Sequence, residues 1–95
     1  MEVRYMDELI KEKTDPVLLD MLEKDPKEIV PVIIQTKDGF KKEDQKSLET
    51  LGGKVKDDLH IIDAFSADIP LSSLKLLALN TRVVRIFHDA QVQAI

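Results

Sequence analysis

His60 and His88 are the side chains best able to move a proton near neutral pH, and each has a carboxylate close by in sequence, Asp58 and Asp89. A proton relay or a metal site needs such groups at a spacing that brings them together. No HxH, HxxxH or HExxH pattern is present. Placed on a turn and at a strand end, the two histidines read as exposed side chains. Their one open role is to weaken a partner's grip when protonated. Asp57-Asp58 reads as turn chemistry rather than as a general acid/base pair. Gly52-Gly53 has no GxxxxGK or GxGxxG around it and is no phosphate cradle. Ser66 lies between Phe65 and Ala67 in a strand, not in a nucleophile elbow. With no cysteine, the chain lacks disulfides, thiolate zinc sites and cysteine nucleophiles together. No catalytic or metal-binding constellation emerges, so the chain reads as a binding domain with no enzyme activity, no cofactor and no metal.

The elements that position these residues follow from spacing and punctuation. Met6, Leu9, Ile10 and Lys13 recur at helical spacing, and Asp15-Pro16 is a capping residue followed by proline at the first helical position. Val17, Leu18, Met21 and Leu22 stripe a second short helix that stops near Asp25-Pro26. The β-branched run Ile29 to Gln35 predicts a buried strand, with Pro31 at its start or at an unpaired position. Lys37-Asp38-Gly39 predicts a turn. A polar helix follows from Phe40 or Lys41 to Leu51, its inner stripe formed by Phe40, Asp44, Ser47, Leu48 and Leu51, and one glycine of Gly52-Gly53 takes the left-handed position that ends it. Two strands, Lys54 to Asp57 and His60 to Ile69, are expected on either side of a tight aspartate turn. Pro70 opens a helix through Leu71, Leu74, Leu77 and Ala78 that Asn80 ends, and Arg82 to His88 is a last strand. The order β-α-β-β-α-β over residues 29–88 is the ferredoxin-like pattern: an α+β sandwich with a four-stranded antiparallel sheet and two helices on one face. Residues 1–28 form an N-terminal helical extension, and residues 89–95 an extended C-terminal tail.

Bulk properties agree with a single small domain. The chain has 95 residues, 43% hydrophobic and 34% charged, with four aromatics (Tyr5, Phe40, Phe65, Phe87), so its core is built mostly from Leu, Ile, Val and Ala. The net charge of −4 falls entirely within residues 1–30. Lys37, Lys41, Lys42 and Lys46 are interleaved with Asp38, Glu43, Asp44 and Glu49, which reads as a solvated helix face and not as the basic patch of a nucleic-acid binder. No run approaches the ~20 apolar residues of a membrane span. Met1-Glu2-Val3-Arg4 has neither the basic nor the apolar region of a signal peptide, which fits a cytoplasmic protein or a fragment without its signal peptide.

The apolar residues are in excess for a sheet with one solvated face. Val83, Val84, Ile86 and Phe87 occupy both faces of the last strand. Ile61, Phe65 and Ile69 lie opposite Ile62 and Ala64 in the expected 60–69 strand. Periodicity alone admits three explanations: residues 1–28 cover the second face, two copies pair through it, or it is a partner-binding surface.

Three stretches, taken together, resemble the propeptides of subtilisin-like serine proteases, the inhibitor I9 family: Gly52-Gly53-Lys54-Val55-Lys56, Ile62-Asp63-Ala64-Phe65-Ser66-Ala67-Asp68-Ile69, and Val83-Val84-Arg85-Ile86-Phe87-His88-Asp89 running on to Ile95. The resemblance extends from about Ile29 to Ile95, and the fold it implies is the βαββαβ sandwich read above. It implies a secreted or extracellular protein, monomeric when free, that binds a protease domain in cis or in trans and neither nucleic acid nor membrane. Such propeptides act as intramolecular folding chaperones and tight inhibitors: the open sheet face covers two surface helices of the protease, and the tail fills the substrate cleft. By position, Ile95 is the processing site and fills the primary pocket. Ala94, Gln93 and Val92 fill the next three subsites, with Val92 in the apolar fourth pocket. Phe87, His88 and Asp89 meet the protease surface, with Asp89 capping a protease helix. Phe87 and His88 stand where family members often carry a further acid. A free-standing inhibitor of the same fold, or a ferredoxin-like module that binds a ligand or dimerises, are the other readings.

Overall fold

The computed structural model of the protein describes residues 2–89. Helix α1 spans Glu2–Lys13, and α2 spans Pro16–Lys24. Asp15 caps α2 as its type predicts, one carboxylate oxygen accepting from the Val17 N–H at 3.1 Å, with Pro16 at the first helical position. Strand β1 (Ile29–Thr36) leads to α3 (Lys42–Thr50), then β2 (Lys54–Leu59), β3 (Ala64–Pro70), α4 (Leu74–Leu79) and β4 (Val83–His88). The sheet order is β2-β3-β1-β4, every neighbour antiparallel. This is the ferredoxin-like arrangement. Each strand–helix–strand unit skips a place in the sheet, and the strand of the other unit fills the gap.

Burial is one-sided. Along β1, Val30, Val32 and Ile34 are buried, while Ile29, Pro31 and Ile33 stay more open. The sheet's buried face meets Leu48 of α3 and Leu74, Leu77 and Ala78 of α4 in one apolar cluster that also takes in Ile10 of α1 and Leu18 of α2. Phe65 and half-buried Phe40 extend it through tilted rings 4.7 Å apart. The first helices therefore lie on the helical side, against α4 and the β4 edge, and do not cover the second face. That face was the alternative the apolar excess left open for residues 1–28.

The join between β2 and β3 differs from expectation. No turn forms at Asp57-Asp58, where the Asp57 carboxylate takes its neighbour's N–H at 2.9 Å without reversing the chain. Strand β2 instead runs on to Leu59, with a register shift between Val55 and Asp57. A 3₁₀ turn over His60–Ile62 then reverses the chain, closed by Asp63 in the left-handed region at φ 53°. The Thr36 N–H pins this corner by donating to the Asp63 carbonyl at 2.9 Å. Ile61 and Ile62 thus belong to a loop tip, where Ile61 is 89% exposed, and not to the two faces of a strand.

Helix α3 ends as expected. Gly52 takes φ 89°, and the Gly53 and Gly52 N–H groups return to the Leu48 and Glu49 carbonyls at 2.9 and 3.0 Å, a Schellman motif. Gly53 has a second constraint: a Cβ there would sit 2.8 Å from Leu48 Cγ and 3.2 Å from the Asp68 carbonyl oxygen. At the helix start, Asp44 is buried, as its place on the inner stripe requires, although it also stands among the interleaved charges, and it is paired. Its Oδ2 caps the helix by accepting from the Lys41 N–H at 2.8 Å. Arg82 grips the same carboxylate through Nε–Oδ1 at 2.7 Å and Nη2–Oδ2 at 2.8 Å, and also donates to the Gly39 carbonyl at 2.9 Å. The hydrogen bond to Asp44, against a smaller opposing effect of desolvation, holds the guanidinium proton more firmly than usual.

Because Leu18 is wholly buried in the shared cluster, Leu18→Ala is expected to lower the unfolding free energy of the whole chain by about 2–5 kcal/mol. Urea denaturation followed by both circular dichroism and Tyr5 fluorescence should give one coincident, shifted transition. Two separate transitions would show that the first helices melt on their own.

Candidate functional site

The candidate site is the second face of the sheet. Register puts Ile33 of β1 beside Ser66 of β3 and Phe87 of β4, and Gln35 beside Ala64 and Arg85. Ala64 and Ser66 are small, so the middle of the face is low, and taller side chains flank it on both sides. A shallow depression lined by Ile33, Lys56, Asp57, Leu59, Ser66 and Asp89 runs across it. Ile29 is 65% and Phe87 39% exposed at its margins. Lys56 and Asp68 form an ion pair at 3.5 Å, open enough to solvent to contribute little. The surface is therefore small at its centre, with a carboxylate on either side: Asp57 on β2 and Asp89 at the end of β4.

The end of β4 shows how the chain leaves this face. The Asp89 N–H donates to the Pro31 carbonyl at 3.0 Å. The β1–β4 register would pair the two residues reciprocally, but proline has no N–H to return. Pro31 thus sits inside a central strand, at the point where the ladder with β4 stops. Asp89 is 8% exposed and contributes to the depression.

Of the residues read from sequence as meeting a partner, Phe87 and Asp89 share the second face. His88 alternates to the helical side, level with Val32, and its N–H donates to Asp15 at 3.3 Å. His60 lies at the far end of the sheet from His88, so the two histidines do not form one site. Val92, Gln93, Ala94 and Ile95 fall outside the described residues. Among the described residues no group of three His, Asp or Glu side chains is placed to hold a metal ion, and no helix is long and apolar enough to cross a membrane. Sequence reasoning missed two features. One is the pair of carboxylates that flank the depression, Asp57 on the β2 edge and Asp89 at the end of β4, with β3 and β1 between them. The other is the use of Asp15 by β4. The first needed the register shift in β2, which no short-range pattern reveals. For the second, the capping signal at Asp15 was visible, but not that its other oxygen was spoken for.

Since this face carries little of the core, Phe87→Ser and Ile29→Ser are each expected to change stability by less than about 1 kcal/mol. Ile86→Ala, on the buried face one residue from Phe87, is expected to cost about 2–5 kcal/mol. Urea midpoints of the three variants check the contrast, and equal losses would mean that the second face is also core.

No family model, curated protein or solved structure matches the chain.

Proposed function

We propose that this chain is the propeptide of a subtilisin-like serine protease, acting as an intramolecular folding chaperone and as a tight inhibitor of the folded enzyme. The observation that carries the reading is an uncovered sheet face, low at its centre, whose last strand runs directly into the C-terminal segment. The resemblance of Gly52–Lys56, Ile62–Ile69 and Val83–Ile95 to that family supports it, as does the ferredoxin-like strand order.

In this mechanism the protease lays a helical surface over the side chains, Ile33 and Phe87 among them, that flank the buried Ala64 and Ser66. Asp89 meets the N-terminus of a protease helix, where free N–H groups and positive potential favour a carboxylate. Residues Val92 to Ile95 then add as a strand to the edge of the substrate cleft. Main-chain bonds give affinity, and alternate side chains give specificity. Val92 fills the apolar fourth pocket and Ile95 the primary one. A folded sheet offered to the unfinished protease lowers the barrier to assembling the enzyme's core, a kinetic effect rather than a lasting thermodynamic one.

Titration of a subtilisin with the isolated domain is expected to give inhibition at about nanomolar concentration, as protease–inhibitor interfaces of ordinary size commonly reach. Removing Val92–Ile95 is expected to weaken it at least thirtyfold, the loss of one anchor of about 2 kcal/mol. Equal inhibition with and without those residues overturns the cleft mechanism. A stable dimer in sedimentation, with no affinity for the protease, favours the dimerising module instead.

A further inference from the structure

The geometry points to Asp15 as a positioning residue that sets where the chain leaves the sheet. The inference rests on the function just proposed.

The short link between α1 and α2 runs along the outer edge of β4, where Thr14 forms a single parallel bridge with Ile86. There Asp15 behaves like a strand one residue long. Its own N–H donates to the Ile86 carbonyl at 2.9 Å, and its Oδ2 accepts from the His88 N–H at 3.3 Å, standing in for a missing strand carbonyl. Its other oxygen is occupied by the Val17 N–H of α2 at 3.1 Å. One carboxylate therefore ties the helix start to the penultimate rung of β4. Lys13 steadies the same link by donating from Nζ to the Asn80 carbonyl at 3.1 Å.

This tie falls where β4 is otherwise weakest. Beyond His88 the strand is held on its inner side by one bond, from the Asp89 N–H to Pro31, because proline returns none. A strand end with half its ladder frays readily. By taking the His88 N–H from the outer side, Asp15 closes β4 between two supports one residue before Asp89. A tail that must thread a narrow cleft binds best when its departure point is already fixed, since the entropy of fixing it is then lost before binding. The helical extension thus acts on the inhibitory segment without touching the protease.

Asp15→Ser separates the two roles of the carboxylate. Serine is a good helix cap and keeps the bond to Val17, but its single oxygen cannot also reach His88. In the free protein, the His88 and Asp89 amides of Asp15→Ser are expected to exchange hydrogen about tenfold faster than in the parent, the loss of one hydrogen bond. Amides of the central strand β1 should be unaffected. Inhibition of a subtilisin is expected to weaken about tenfold. In the variant already lacking residues 92–95, the further loss from Asp15→Ser should be clearly smaller than in the full chain, since only the Asp89 contact is then left to feel it. Unchanged exchange at His88 and Asp89 overturns the tie. Faster exchange with an equal loss of inhibition in tailed and tailless proteins overturns the positioning role, since the effect is then structural. A parent domain that does not inhibit overturns the proposed function and the claim about the tail together, while the exchange arm still decides whether Asp15 holds β4.

Discussion

A four-stranded sheet has two faces, and this chain has apolar side chains enough to bury one. Val30, Val32 and Ile34 set that choice on the central strand, and every helix, the two before the sheet included, contributes to the cluster over them. Concentrating burial on one side gives a small domain the deepest core its composition allows, since partial cover on both faces would leave more apolar area in water. The second face is then necessarily left as surface. Its small central residues, Ala64 and Ser66, keep it from presenting a large apolar patch to solvent.

The polar counterpart of that core is the Asp44 carboxylate. It holds the first turn of α3, and through Arg82 it ties the loop after β1 to the loop before β4. Asp44 is 5% exposed and Arg82 20% exposed at the side chain, a depth at which an unpaired charge is strongly disfavoured. The pair holds because the lone pairs of the carboxylate are shared between a backbone N–H and a two-pronged guanidinium. Its contribution is mainly to register. It fixes α3, which carries few apolar residues of its own, relative to strands that are distant in sequence.

Much of this was legible in the sequence wherever the signal was short-range. Asp15-Pro16 announced α2, Gly52-Gly53 ended α3, and the β-branched run at Ile29 marked the central strand. From these the strand–helix order followed, and the order determines the sheet topology. What stayed hidden depended on distant partners. The inner stripe placed Asp44 towards the core, but its partner Arg82, far along the chain, carries no short-range signal. The join at Asp57 to Asp63 was misplaced because two adjacent aspartates are a strong turn signal, whereas the turn is made by a single left-handed aspartate further on. That error put Ile61 and Ile62 on a strand and inflated the apolar content of the sheet. The apolar tilt of the second face survives the correction, but it rests on Ile29, Ile33 and Phe87.

The occupied outer edge of β4 has a consequence for self-association. An open sheet usually offers two unpaired margins on which foreign strands can grow, and either one can seed fibrous polymerisation. Here Thr14 and Asp15 block one margin. The other belongs to β2, whose sequence Lys54-Val55-Lys56-Asp57-Asp58 is charged almost throughout and broken by a register shift. A protein with one flat surface left bare is thereby guarded at its rims, so that its stickiness is directed perpendicular to the sheet and not along it.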